Sequence, residues 1–185
     1  MNNRYQNWVN QMAGRVNLGF ILVRPNGRIA NAHATTTVEG SLLIEYNPVF
    51  MSGLERHSGW AVLMVLAHEV AHHYNKDLYG RFLGIHNTEQ RQELNADRFA
   101  GYMLRCYGAE WNQATDAYKL IDFRRSNTHP GKAARIDAFR MGFNEAVCHL
   151  NPPQRVVRKN DAEKALLGVA AGLSLVLLIA GLIRS

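Results

Sequence analysis

Cysteine is scarce in this chain. Of 185 residues only Cys106 and Cys148 carry thiols, and neither sits in a pairing motif. Two lone thiols argue against a disulfide scaffold and fit a reducing compartment. Runs of like charge are also missing. The formal net charge is +6, half of it in residues 152–185, and the rest is spread over 1–151 without a basic run. No nucleic-acid partner is expected from that pattern. The first residues, Met1-Asn2-Asn3-Arg4-Tyr5-Gln6-Asn7-Trp8, lack the apolar core of a signal peptide. There is no internal repeat and no low-complexity segment.

One absence is local. Residues 165–183 contain no charge over 19 positions and are rich in Leu, Val, Ala and Gly, with Ser174 their one polar side chain. A buried helix normally keeps a polar face, so this segment is expected to span a bilayer. Arg155, Arg158, Lys159 and Lys164 precede it and only Arg184 follows. The positive-inside bias then places residues 1–164 on the cytoplasmic side of a tail-anchored, single-pass protein. Three parts are expected: a domain over 1–151, a basic linker over 152–164, and the membrane helix over 165–183.

Within the domain, apolar residues at helical spacing (Tyr5, Trp8, Val9, Met12, Val16) predict a helix over 3–17. β-prone runs at 18–23, 28–38 and 41–46, separated by Pro25-Asn26-Gly27 and Gly40, predict three strands. Their hairpin-like spacing predicts a small antiparallel sheet with 28–38 as an edge strand. Asn47-Pro48 ends the third strand, and a loop holding Ser52-Gly53 follows. Ser58 can cap a helix over 60–75 whose apolar residues cover much of its circumference, so that helix is expected to be central and buried. After an irregular connection over 77–86, Asn87 or Thr88 can cap a helix over 89–107 ended by Gly108. Further helices are predicted over 111–123 and 132–150, the last stopped by Asn151-Pro152-Pro153. The fold class is α+β, mainly helical.

The central helix carries His68-Glu69-Val70-Ala71-His72, which fits H-E-x-x-H. One turn apart, His68 and His72 leave the same helix face and can fill two of zinc's tetrahedral positions. Glu69 sits where a general base can reach a water on the metal. On a buried helix these polar groups are costly unless paired or metal-bound. A catalytic zinc needs a third protein ligand. The metzincin scheme fails, because Asn75 and Leu78 occupy its glycine and last histidine positions. Glu93-Leu94-Asn95-Ala96-Asp97 offers the alternative, 21 residues beyond His72. Glu93 can bind metal while Asp97, one turn on, accepts the spare N–H of a ligand histidine. The plainer account makes both acids part of a charged helix face with Arg91 and Arg98. His73 points elsewhere on its helix and reads as structural or exposed.

Four blocks, in order, resemble the gluzincin zinc metallopeptidases of the HtpX and CAAX-prenyl endopeptidase family, most closely its small single-domain bacterial members. They are Asn31-Ala32, His68-Glu69-Val70-Ala71-His72, Glu93-Leu94-Asn95-Ala96-Asp97-Arg98, and Thr128-His129-Pro130 followed by Arg135-Ile136. The resemblance covers about residues 29–147. It implies a minigluzincin-like domain in which His68, His72 and Glu93 bind one zinc ion, Glu69 is the base and Asp97 supports the ligands. It implies that Asn31 and Ala32 line the substrate cleft and that His129 stabilises the oxyanion. Arg135 is expected to buttress Asp97 or Glu93, and His33 lies on the same cleft strand. Membrane-embedded members of that family have several spans, and this chain has one, so their substrates do not carry over. The expected activity is hydrolysis of peptide bonds in a peptide or protein substrate. Two rivals share parts of the pattern: a regulatory peptidase like the ImmA/IrrE proteins, which cut repressors, and a non-catalytic zinc-containing adaptor whose groove holds a peptide uncut.

Overall fold

The computed structural model describes residues 3–77, 88–121 and 130–148. His129, the linker 152–164 and the apolar segment 165–183 lie outside the described residues, as does the expected boundary at 151. Among the described residues no helix is long and apolar enough to cross a membrane.

In chain order the elements are α1 (Asn3–Arg15), β1 (Leu22–Pro25), β2 (Ala32–Thr36), β3 (Leu42–Tyr46), α2 (Pro48–His57), α3 (Gly59–Tyr74), α4 (Glu89–Cys106), α5 (Trp111–Ala114), α6 (Ala117–Leu120) and α7 (Lys132–Asn144). The architecture is α+β, mostly helical with one three-stranded sheet. Helix α3 is its axis. From Ala61 to Ala71 every residue is buried, because α1, α2, α4 and β2 pack around it. A helix apolar on all sides is stable only in such a position.

The sheet is mixed rather than antiparallel. Its order is β1-β3-β2, with β1 parallel and β2 antiparallel to β3. Two observations account for the difference from the hairpin expectation. Strand β3 has the most apolar, most buried pattern, so it takes the centre. The turn after β1 does not fold back on β1, because Asn26 is tied to the end of β3. Its N–H donates to Tyr46 O at 2.8 Å and its amide to Glu45 Oε2 at 3.0 Å. Strand β2 lies at the sheet edge, as the sequence suggests.

Three helix boundaries differ from expectation, each for a local reason. The segment after Asn47 is helix, not loop. Asn47 Oδ1 accepts from the N–H of Val49 and Phe50, and Pro48 opens α2. Asn as N-cap with Pro at the first helical position is a start signal as much as a strand stop. The helix expected over 111–123 is two short ones, since Thr115 Oγ1 donates to Trp111 O and competes with the backbone ladder. Helix α7 ends at Asn144, not near 150. There Glu145 pairs with Arg98, and Tyr102 Oη donates to Val147 O at 2.6 Å, turning the chain back along α4. Helix α4 ends as expected, with Gly108 at φ 87°.

The same return brings Cys148 onto Cys106, and the two form a disulfide. They are not lone thiols, so the argument from cysteine for a reducing compartment falls. The absence of a pairing motif is no guide here, because the partners are 42 residues apart and meet only through the α4–α7 contact. That contact is backbone to backbone. A Cβ on Gly101 would overlap the Phe139 carbonyl, and one on Gly142 the Arg98 carbonyl. Close approach of these helices lets Arg135 of α7 reach Asp97 of α4.

Candidate metal centre

His68 and His72 leave the cleft face of α3 with their Nε2 atoms 3.2 Å apart. Across from them, Glu93 of α4 places Oε2 3.4 Å from His68 Nε2 and Oε1 3.5 Å from His72 Nε2. These are the three side chains among the described residues that converge as potential metal ligands. The spacing can be checked. Zinc–nitrogen and zinc–oxygen bonds of ~2.0–2.1 Å in a tetrahedron imply ligand atoms ~3.3–3.4 Å apart. The three separations here, 3.2, 3.4 and 3.5 Å, bracket that value.

The tautomers agree with that reading. His68 Nδ1 lies 3.0 Å from Asp97 Oδ1, and His72 Nδ1 lies 3.0 Å from Asp77 Oδ2. A carboxylate only accepts, so each Nδ1 carries a proton, and in its neutral form each ring would turn an Nε2 lone pair inward. Two lone pairs facing each other at this distance repel unless a cation lies between them. Burial by itself would lower both histidine pKa values. Glu93 and Asp97 instead hold His68 up to about 9, and Asp77 and Glu93 hold His72 up to about 10. Burial favours a neutral Glu93, but the two imidazoles push it well below the usual carboxylate range. The pocket is thus built to hold positive charge, and its donors, two imidazoles and a carboxylate, are those zinc prefers at catalytic sites.

Behind these three side chains Arg135 clamps Asp97, with Nε at 2.7 Å from Oδ2 and Nη2 at 2.9 Å from Oδ1. Its Nη2 also lies 3.4 Å from Glu93 Oε2. Asp97 is fully buried and Arg135 is 8% exposed. Tyr118 closes this shell. Its hydroxyl lies 3.4 Å from Arg135 O, and burial, then the charge of Asp97, pushes its phenol well above the ordinary range.

Glu69 is buried on the same face of α3. Its Oε2 accepts the Ala34 N–H of β2 at 2.7 Å. Burial raises its pKa, against the pull of His68, His72 and the Ala34 N–H. A carboxylate held by one oxygen and shifted upward is suited to taking a proton at near-neutral pH.

The other expected residues are less uniform. Asn31 is exposed one residue ahead of β2, and its backbone O accepts the Asn47 N–H at 2.6 Å. Ala32 is buried in the cleft wall. His33 also borders the cleft, but its imidazole reaches Glu45 of β3 at 3.5 Å. His129 lies outside the described residues. His73 is structural: its Nε2 donates to Leu43 O at 3.0 Å and pins α3 to β3, while burial lowers its pKa.

Sequence reasoning missed Asp77. It is 3% exposed and holds the tautomer of His72 as Asp97 holds that of His68. The available signal was an acid five residues past His72, in a stretch read as irregular connection. Asp77→Ala is expected to weaken zinc binding about 10- to 100-fold, the usual cost of losing such a partner. Asp77→Asn, which keeps an acceptor oxygen, should lose less. A competition titration against a chromophoric chelator reads both; equal affinity in wild type and Asp77→Ala would remove the role.

Comparison with family models, with curated proteins and with solved structures gave no match to this chain.

Proposed function

We propose that the chain is a zinc-dependent metalloendopeptidase of gluzincin type. One observation carries the reading: His68, His72 and Glu93 converge at tetrahedral spacing beside a buried glutamate from the same helix turn. A zinc ion held there supplies Lewis acidity, making a water acidic near neutral pH and polarising a carbonyl. Glu69 takes the proton of the attacking water and returns it to the leaving amine. The Ala34 N–H fixes the carboxylate for both transfers. Asp97 and Asp77 keep both imidazoles in the ligating tautomer, and Arg135 holds Asp97 in place.

The peptide is read as lying extended along β2. The hydrogen-bonded pairs Asn31–Asn47 and Thr37–Ser41 turn the backbone groups of residues 33 and 35 toward β3. The backbone groups of Ala32, Ala34 and Thr36 therefore face the outer edge, where Glu69 takes the Ala34 N–H and the remaining groups suit strand addition by a substrate. His129 is assigned to the oxyanion, and Asn31 to the substrate backbone, by family resemblance. The segment 165–183 supports attachment to a membrane. The basic flank favours the cytoplasmic side, whereas the Cys106–Cys148 bond weighs against it, since such bonds persist in oxidising compartments. A repressor-cutting peptidase would use the same chemistry on another target. The adaptor reading does not use the ordered base.

Metal removal tests the reading. Purified full-length chain should hold about one zinc per molecule. Chelation should abolish cleavage of an unfolded protein, and stoichiometric zinc should restore it. Cleavage indifferent to chelation would refute the proposal.

A further inference from the structure

Val147 and Cys148 are tied down three times over. Tyr102 Oη donates to Val147 O at 2.6 Å, Arg15 Nη1 donates to Cys148 O at 2.9 Å, and Cys148 is bonded to Cys106. These ties fix the point where residues 149–185 leave the domain, and none of them serves the metal centre. That exit is at the C-terminal end of α4, whereas Glu93 stands near the N-terminal end. At 1.5 Å per residue the two are ~20 Å apart along the helix. Exposed arginines surround the exit, each set over an aromatic ring. The Arg15 guanidinium stands 5.7 Å from the Tyr107 ring centre, Arg105 5.2 Å from Phe143, and Arg140 5.2 Å from Trp111. The rings are themselves packed, Trp111 and Phe143 meeting edge to face at 5.4 Å. Stacking occupies the flat side of a guanidinium and leaves its N–H edge for an anion. Asp137 takes one N–H of Arg140 at 3.0 Å, and Glu145 pairs with Arg98. Among the described residues no carboxylate pairs with Arg15 or Arg105.

We propose that this face, Arg15, Arg105 and Arg140 with Met141 and Val147, docks on the phosphate headgroups of an anionic bilayer. The inference rests on the membrane attachment read above, not on the peptidase chemistry. Residues 149–164 separate Cys148 from the uncharged segment 165–183 and bring Arg155, Arg158, Lys159 and Lys164 with them. Fully extended they reach at most ~55 Å. With 165–183 in a bilayer, the exit face is the part of the domain that this tether keeps nearest the lipid. A few arginines bind headgroups weakly by themselves, but a short tether makes the encounter intramolecular, so weak contacts suffice. Met141 follows Arg140 and Val147 precedes Cys148; they are 52% and 42% exposed, apolar contacts beside the cations. Phe20 and Val49 are more exposed, but they stand at opposite ends of the sheet, before β1 and after its parallel neighbour β3. Exposed apolar residues scattered in that way mark no surface. Docked by the exit face, the domain holds its cleft at the far end of α4 from the headgroups. Its substrates are then peptide segments standing clear of the bilayer, not segments within it.

Arginine reactivity on the full-length chain tests the face. The chain is placed in nanodiscs of phosphatidylcholine alone, or of phosphatidylcholine with phosphatidylglycerol, and treated with phenylglyoxal. Mass spectrometry then reads the modification rate of each arginine. Arg15 and Arg105 should react about fivefold or more slowly in the anionic discs, and high salt should remove the difference. Arg24 and Arg56, on the sheet and on α2, should react alike in both. In Arg15→Gln combined with Arg105→Gln, two exposed positions where the fold should survive, Arg140 should lose its protection. Equal rates for Arg15 and Arg105 in the two discs overturn the docking face, as does equal protection of Arg24. Slowing that follows protein concentration and not lipid charge assigns the face to a second copy of the chain and overturns lipid docking. A chain that does not enter either disc overturns the attachment and the docking together. Zinc-dependent cleavage of a soluble unfolded protein, assayed in both discs, reports the peptidase reading separately.

Discussion

Glu69→Gln is expected to lower kcat/KM for peptide hydrolysis by about 10³-fold or more while leaving zinc content unchanged. The magnitude follows from what the residue contributes. Positioned proton transfer is worth roughly 10²–10⁴ in rate, and Glu69 is asked to act twice, on the attacking water and on the leaving amine. A factor of 10³ corresponds to ~4 kcal/mol of barrier. The substitution is conservative in shape. An amide oxygen can still accept the Ala34 N–H that now reaches Glu69 Oε2 at 2.7 Å. The residues proposed to hold the metal are the neighbouring His68 and His72 with Glu93, none of which the substitution touches. Loss of rate with retained metal therefore reads proton transfer alone. The pH profile gives a second signature. In the proposed mechanism Glu69 works as the ionised base, so wild-type activity should be present above its pKa and lost as pH falls through it. Burial raises that pKa above the ordinary carboxylate value, so the acid limb should lie correspondingly high. The residual activity of Glu69→Gln should lack the limb. A variant with wild-type kcat/KM would sink the mechanism.

What could be read from the chain divides by range. His68, His72 and Glu69 share one helix face because a single turn relates them, and α3 is buried because its sequence is apolar on every side. Glu93 and Asp97 follow the same logic on α4, so the converging side chains were legible as two helical pairs. What local pattern does not contain is the partner. The order β1-β3-β2 depends on which strand the core makes central, and alternation along one strand is silent about its neighbours. Cys106 and Cys148 meet only because α4 and α7 cross at Gly101 and Gly142. Asn47-Pro48 carries two signals at once: it stops β3 and starts α2, and the stop alone was read. Asp77 was hidden for a related reason. It follows the last turn of α3, where helical spacing no longer predicts which way a side chain points, yet its Oδ2 lies 3.0 Å from His72 Nδ1.

The second large effect lies one layer behind His68, His72 and Glu93. Arg135→Met is expected to destabilise the fold by about 3–5 kcal/mol, the usual cost of removing one partner of a buried ion pair. Asp97 is fully buried, and Arg135 contributes both of its guanidinium contacts, at 2.7 and 2.9 Å. With methionine in place, the carboxylate keeps His68 Nδ1 on one oxygen but loses the guanidinium charge from the other side. Methionine roughly preserves the aliphatic packing of the arginine stem, so the loss reports the charge rather than a cavity. Arg135→Lys should recover only part of it, because an ammonium cannot reproduce the two-pronged contact. Arg135→Met combined with Asp97→Asn should be less damaged than the sum of the two single changes, since the buried charge has gone with its partner. Urea unfolding of the metal-free chain measures these differences at constant m-value. A parallel zinc titration should show weaker binding in Arg135→Met, as Asp97 loses the fixed position from which it orients His68. Arg135→Met within about 0.5 kcal/mol of wild type, the range typical of surface substitutions, would mean that the clamp is not needed to hold Asp97.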